Sequence, residues 1–167
     1  MLFNSIGFSQ YTVTKQDEQL LFLHGLFSNG EHSSKANALR FAGYDVTAPP
    51  LNNWCFWWAC HSVKLDQIKP DVIVGSSRGG AIALNLDTNL PLVLLAPAWK
   101  YYGMKKDFTN PCVIIHGKND TLIPYEDSIE LVNMNPNARL YIVNDDHQLN
   151  KYETHRLMIQ QVKQFNK

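Results

Sequence analysis

The sequence predicts an α/β fold: a three-layer αβα sandwich around a mainly parallel sheet of six to seven strands. Two observations carry this. Short, continuous apolar runs alternate with stretches of helical periodicity along the chain. The runs are apolar throughout rather than at every second residue, which marks strands covered on both faces, as in parallel sheets between helices.

The elements follow in order. LLFLHG (20–25) is a buried strand closed by glycine. EHSSKANALRFAGY carries a helix: Ser33 or Ser34 caps it, Ala36, Leu39 and Ala42 recur at helical spacing, and Gly43 ends it. YDVTAPP is a second strand, stopped by Pro49 and Pro50. WCFWWACHSVKLDQI (54–68) predicts one helix that ends before Pro70. DVIVGS is the third strand, and SRGGAIALNL a helix that starts at the serine. PLVLLAPAW and PCVIIHG are the fourth and fifth strands, joined by the loop KYYGMKKDFTN (100–110). YEDSIELVNM is a helix, ARLYIV the sixth strand, and NKYETHRLMIQQVKQF the last helix. Residues 1–18 offer weak edge strands around YTVT.

With 167 residues the chain suits one domain, 1–167. Fifteen basic residues balance fifteen acidic ones, so no net field draws nucleic acid or an anionic membrane surface. Cys55, Cys60 and Cys112 have no disulfide-framework or zinc spacing and read as small core residues, with no metal expected. The N-terminus lacks a signal-peptide pattern, and no apolar run approaches the ~18 residues of a membrane span. The expected setting is cytoplasmic and reducing.

The chemistry gathers at VGSSRGG (74–80). It follows a strand and opens a helix, at the carboxyl end of the sheet where ligands of such folds bind. The stretch lacks G-x-G-x-x-G and G-K-[ST], which sets aside dinucleotide and P-loop readings. It fits G-x-S-x-G, with Ser77 between Gly75 and Gly79, and on this stretch alone a nucleophile turn and a plain tight turn are equally good readings. Partners shift the balance. A serine needs a base, and the base needs an acid to orient it. Asp120 follows the fifth strand and His147 the sixth, so all three residues meet at one sheet edge.

LFLHG, VGSSRGG, IIHGKNDTLIP and NDDHQL, in that order, resemble the landmarks of the α/β-hydrolase fold superfamily. Within it the chain looks like a small, nearly lidless serine esterase, with the cap reduced to 98–110. The resemblance implies Ser77 as nucleophile, Asp120 as acid and His147 as base, and no cofactor. It also implies an oxyanion hole from the backbone N–H groups of Leu26 (Phe27 the alternative) and Arg78. Asp145 and Asp146 are rival acids, disfavoured because adjacency to His147 aims a carboxylate poorly. His24 and His116 read as structural, and His32, His61 and His155 as surface residues.

The aromatic cluster Trp54, Phe56, Trp57 and Trp58 reads first as packing of its helix on the sheet, with a pocket or an oligomer contact as the alternative. Phe27, Trp54, Trp99, Tyr101 and Tyr102 are candidate walls of a shallow substrate cleft. The expected function is hydrolysis of small or short-acyl carboxylic esters. A thioesterase is the runner-up, with Lys100, Lys105 and Lys106 as the source of a basic groove. The third reading is a non-catalytic binding protein of the same shape.

Overall fold

The computed structural model describes residues 18–51, 55–104 and 108–165. The expected edge strands around YTVT and the expected cleft wall Trp54 lie outside them. Six strands form one sheet: β1 (Gln19–Leu23), β2 (Asp45–Thr47), β3 (Val72–Ser76), β4 (Leu92–Leu95), β5 (Cys112–Gly117) and β6 (Ala138–Val143). Their order is β2-β1-β3-β4-β5-β6, and every pair is parallel. The order reverses between β2 and β3, on either side of β1, so the carboxyl ends of β1 and β3 flank a topological switch point.

The period-2 geometry of the strands divides the core into two layers. Leu20 and Phe22, Val72 and Val74, Val93 and Leu95, and Val113 and Ile115 face one way. They meet Ala36 and Leu39 of α1 (Ser34–Phe41) and Met158 and Val162 of α7 (Tyr152–Phe165). Leu21 and Leu23, Ile73, Leu92 and Leu94, and Ile114 face the other way. Against them pack Ala59 of α2 (Phe56–Ser62), Ile82 and Leu84 of α4 (Arg78–Asn85) and Leu131 of α6 (Tyr125–Asn133). This is the αβα sandwich that unbroken apolar strands require.

Two expectations need correction. The helix predicted over 54–68 is two helices, α2 and α3 (Leu65–Ile68). Val63 breaks it by taking extended geometry (φ −77°, ψ 113°), which seats its side chain in the second core layer. The loop after β4 begins as a helical turn, α5 (Trp99–Tyr102), and Phe108 at its far side is buried in the same layer. Of the cysteines only Cys112 is buried; Cys60 is partly buried and Cys55 exposed. No helix among the described residues is long and apolar enough to cross a membrane.

Candidate active site

Ser77 alone makes the turn from β3 to α4. Its backbone sits at φ 54° and ψ −117°, a conformation that costs a non-glycine residue on the order of 1–3 kcal/mol. The surroundings hold it there. Its N–H donates to the Leu95 carbonyl at 2.8 Å, and its own carbonyl accepts from Gly80 at 2.9 Å and Ala98 at 3.0 Å. The flanking glycines are steric requirements. A Cβ on Gly79 would lie 2.0 Å from the Leu23 carbonyl oxygen, and one on Gly75 would lie 2.7 Å from that of Gly79.

Asp120 and His147 arrive on the loops after β5 and β6. His147 Nδ1 is 2.7 Å from Asp120 Oδ2, and His147 Nε2 is 3.1 Å from Ser77 Oγ. A carboxylate only accepts, so Nδ1 carries the proton and the Nε2 lone pair faces the serine. Asp120 Oδ1 accepts the N–H groups of Leu122 at 2.8 Å and Ile123 at 2.9 Å. Burial alone would raise the pKa of this carboxyl. The hydrogen bonds from Ile123, His147 and Leu122 outweigh it and hold the group below its usual value. Asp145 and Asp146 do not reach His147. Asp145 accepts from the Thr154 hydroxyl and from the N–H groups of Lys151 and Asp146, and Asp146 from the N–H of Gln148.

His116 was expected to be merely structural, but it touches the acid. Its Nε2 is 3.1 Å from Asp120 Oδ2 and 3.0 Å from the Ile123 carbonyl, both acceptors, so Nε2 carries the proton. Its Nδ1 then accepts from the Ser128 hydroxyl at 2.6 Å. Burial holds its pKa low, against the opposing influence of Ile123 and Asp120. The available signal was a polar ring in a fully buried strand, four residues before the acid. His24 braces its loop: Nδ1 donates to the Gly25 carbonyl at 2.8 Å, and Nε2 accepts the Leu51 N–H at 3.2 Å.

A cleft of about 330 Å³ opens over Ser77 and His147. Leu26, Arg78, Tyr101 and Tyr102 line it, as does Lys35. Gly25 brings its loop close, since a Cβ there would stand 3.9 Å from Ser77 Oγ. Arg78 lies over the Tyr102 ring, 6.0 Å from its centroid, and Phe56 stacks on the same ring at 4.7 Å.

Other expected wall residues lie elsewhere. Phe27, in a left-handed turn conformation (φ 56°), is 83% exposed and stays out of the cleft. Trp99 turns toward α6, where its indole N–H donates to the Asp127 carbonyl at 2.9 Å. Trp57 and Trp58 face solvent, and Phe56, Ala59 and Cys60 make the contact with the core instead. Lys100 is tied to Asp127 at 2.9 Å and Glu130 at 2.6 Å, and does not line the cleft. Lys105 and Lys106 lie outside the described residues. Among the described residues no group of three or more His, Cys, Asp or Glu is placed to hold a metal ion.

No protein-family model matches this sequence, and no curated protein matches it. Solved structures do. The chain is similar to mouse alpha/beta hydrolase domain-containing protein 10, with a TM-score of 0.74 and 16% identity over 88% of both chains. It is similar to Est1E from Butyrivibrio proteoclasticus, with a TM-score of 0.71 and 15% identity over 92% of this chain and 91% of that one. It is also similar to the esterase EaEST from Exiguobacterium antarcticum, with a TM-score of 0.68 and 17% identity over 89% and 91%. The chain has the α/β-hydrolase fold.

Proposed function

We propose that the protein is a serine hydrolase that cleaves small or short-acyl carboxylic esters through an acyl-enzyme. Ser77 Oγ attacks the ester carbonyl while His147 Nε2 takes its proton. Asp120, 2.7 Å from Nδ1, fixes the ring and stabilises the imidazolium. The N–H groups of Leu26 and Arg78 receive the developing oxyanion, the second at a helix start where backbone dipoles favour negative charge. His147 returns the proton to the departing alcohol. Water, activated by the same base, then releases the acid and restores Ser77.

The observation that carries this reading is the continuous hydrogen-bonded path from buried Asp120 through His147 to Ser77 on a strained turn. Esterases among the structural neighbours agree with it. A cleft of about 330 Å³, bordered by Tyr101 and Tyr102, favours short acyl groups. With Lys100 neutralised by two carboxylates, the thioesterase reading loses the one described member of its basic groove. Labelling with a fluorophosphonate probe tests the proposal without knowledge of the substrate. The wild-type protein is expected to label at Ser77, and folded Ser77→Ala not at all. A folded wild-type protein that fails to label defeats the hydrolase reading.

A further inference from the structure

Among the described residues, the formal charges lining the cleft are of one sign: Lys35 and Arg78 line it, and no aspartate or glutamate does. Arg78 lies against the Tyr102 ring. Lys35 is different: it is 7% exposed, and among the described residues it forms no hydrogen bond or ion pair. Asp145 and Asp146 are the acidic groups whose charge it feels, yet both carboxylates are engaged by their own loop and, for Asp145, by Thr154 of α7. Burial pushes the ammonium's pKa down, and those two charges oppose the fall. The stem of Lys35 is buried while its ammonium nitrogen stays open to the cleft it lines, so the charge is free to meet an anion there.

Lys35 also sits on a particular side of the cleft. Helix α1 is fastened to the base-bearing loop by Ser34 Oγ, which donates to Asn150 Oδ1 at 2.6 Å. The two acids near Lys35 immediately precede His147. In the proposed reaction the leaving oxygen takes its proton from His147 Nε2, so the leaving group lies on the His147 side of Ser77. We propose that the substrate carries an anionic group, a carboxylate or a phosphate, on its leaving alcohol, and that Lys35 binds it. This rests on the hydrolase reading and narrows its substrate class.

Three esters test it: phenyl acetate, 4-acetoxybenzoate with its charge on the leaving phenol, and monophenyl succinate with its charge on the acyl group. The wild-type kcat/KM is expected to favour 4-acetoxybenzoate over phenyl acetate by about tenfold to a hundredfold, mostly through KM, the scale of a hydrogen bond between charged groups. Lys35→Met, of similar length and uncharged, should collapse that ratio, and Lys35→Arg should restore part of it. A ratio that Lys35→Met leaves in place overturns the proposal, and a preference for monophenyl succinate overturns the assignment to the leaving side.

Should Lys35→Met not fold, inhibition of wild-type phenyl acetate hydrolysis decides. 4-Hydroxybenzoate or inorganic phosphate should inhibit at concentrations at least about tenfold below phenol, and equal potency overturns the idea. Comparison of those two anions tells carboxylate from phosphate. A protein that neither labels nor hydrolyses any ester sinks the hydrolase reading. Calorimetric titration with 4-hydroxybenzoate then reads the anion site alone: heat of binding lost in Lys35→Met supports it, and no binding to wild type overturns it.

Discussion

His147 and His116 meet the same oxygen of Asp120, at 2.7 and 3.1 Å, and the rest of their surroundings differ. His147 stands on a loop with its side chain 15% exposed, and among the described residues its second nitrogen faces only Ser77. His116 lies inside β5, fully buried, with both nitrogens engaged by Ser128, Ile123 and the acid. An imidazole can take a proton only where a lone pair is open to the donor and the resulting charge is tolerated. His147 meets both conditions. His116 meets neither, so its contribution is to hold the carboxylate in place.

The two rings should therefore separate by orders of magnitude. His147→Ala is expected to lower kcat on the order of 10⁶-fold, as loss of the base does in a cooperative triad. Asp120→Asn should cost roughly 10⁴-fold, because the amide favours the wrong tautomer of His147. Asp145→Asn should leave kcat within about threefold and instead reduce stability by about 1–3 kcal/mol, since it disturbs a buried hydrogen-bonded group. Steady-state kinetics and denaturant melts on the same preparations check all three. A large kcat loss in Asp145→Asn with Asp120→Asn active would reassign the acid.

His116→Phe keeps the ring's bulk and removes all three of its hydrogen bonds, to Ser128, Ile123 and Asp120. It should lower kcat by roughly tenfold to a hundredfold with KM nearly unchanged, the scale of a misplacement of about 1 Å. His116→Gln, whose amide can still donate to Asp120, should recover part of the loss. A residue that only fills space would show no such recovery.

The contrast between the two histidines also marks what sequence can reveal. Ser77, Asp120 and His147 were legible because each stands within a few residues of the carboxyl end of a strand, β3, β5 and β6 respectively. The turn at Ser77 was legible because backbone crowding at Gly75 and Gly79 admits no side chain. His116 was legible as buried, but its link to Asp120 depends on how the 117–123 loop folds back on β5. The aromatic segment gave no answer because consecutive aromatics carry no contrast between faces: Phe56 turns inward, while Trp57 and Trp58 are 59% and 69% exposed. Trp99 left the cleft for a carbonyl 28 residues away, a bond that no local spacing encodes.

The smallest expected difference lies in how stability varies with pH. Burial of His116, only partly offset by Ile123 and Asp120, holds its pKa below the ordinary 6.5. Between that lowered value and 6.5 the unfolded chain binds a proton that the folded chain does not. Stability thus rises with pH across this window and falls as pH drops from 7 toward 5, by at most about 1.4 kcal/mol per pH unit for one group. His155, expected at the surface, is instead half-buried on α7 and acts in the same direction, through burial and the charge of Lys35. Asp120 and Asp145 have the opposite starting point. Burial would raise their pKa values, but hydrogen bonds hold both below 3.8, so their contribution is complete above about pH 4 and fades only below it. Loss of stability between pH 7 and 5 is accordingly expected to come from histidine, and loss below pH 4 from the carboxylates. His116→Gln should flatten the dependence of Tm on pH between 7 and 5 and preserve a decline below pH 4. An unchanged slope in His116→Gln, together with a flat one in His155→Gln, would transfer the effect to His155. Equal slopes in both variants and the wild type would mean that neither ring stays neutral as its surroundings require.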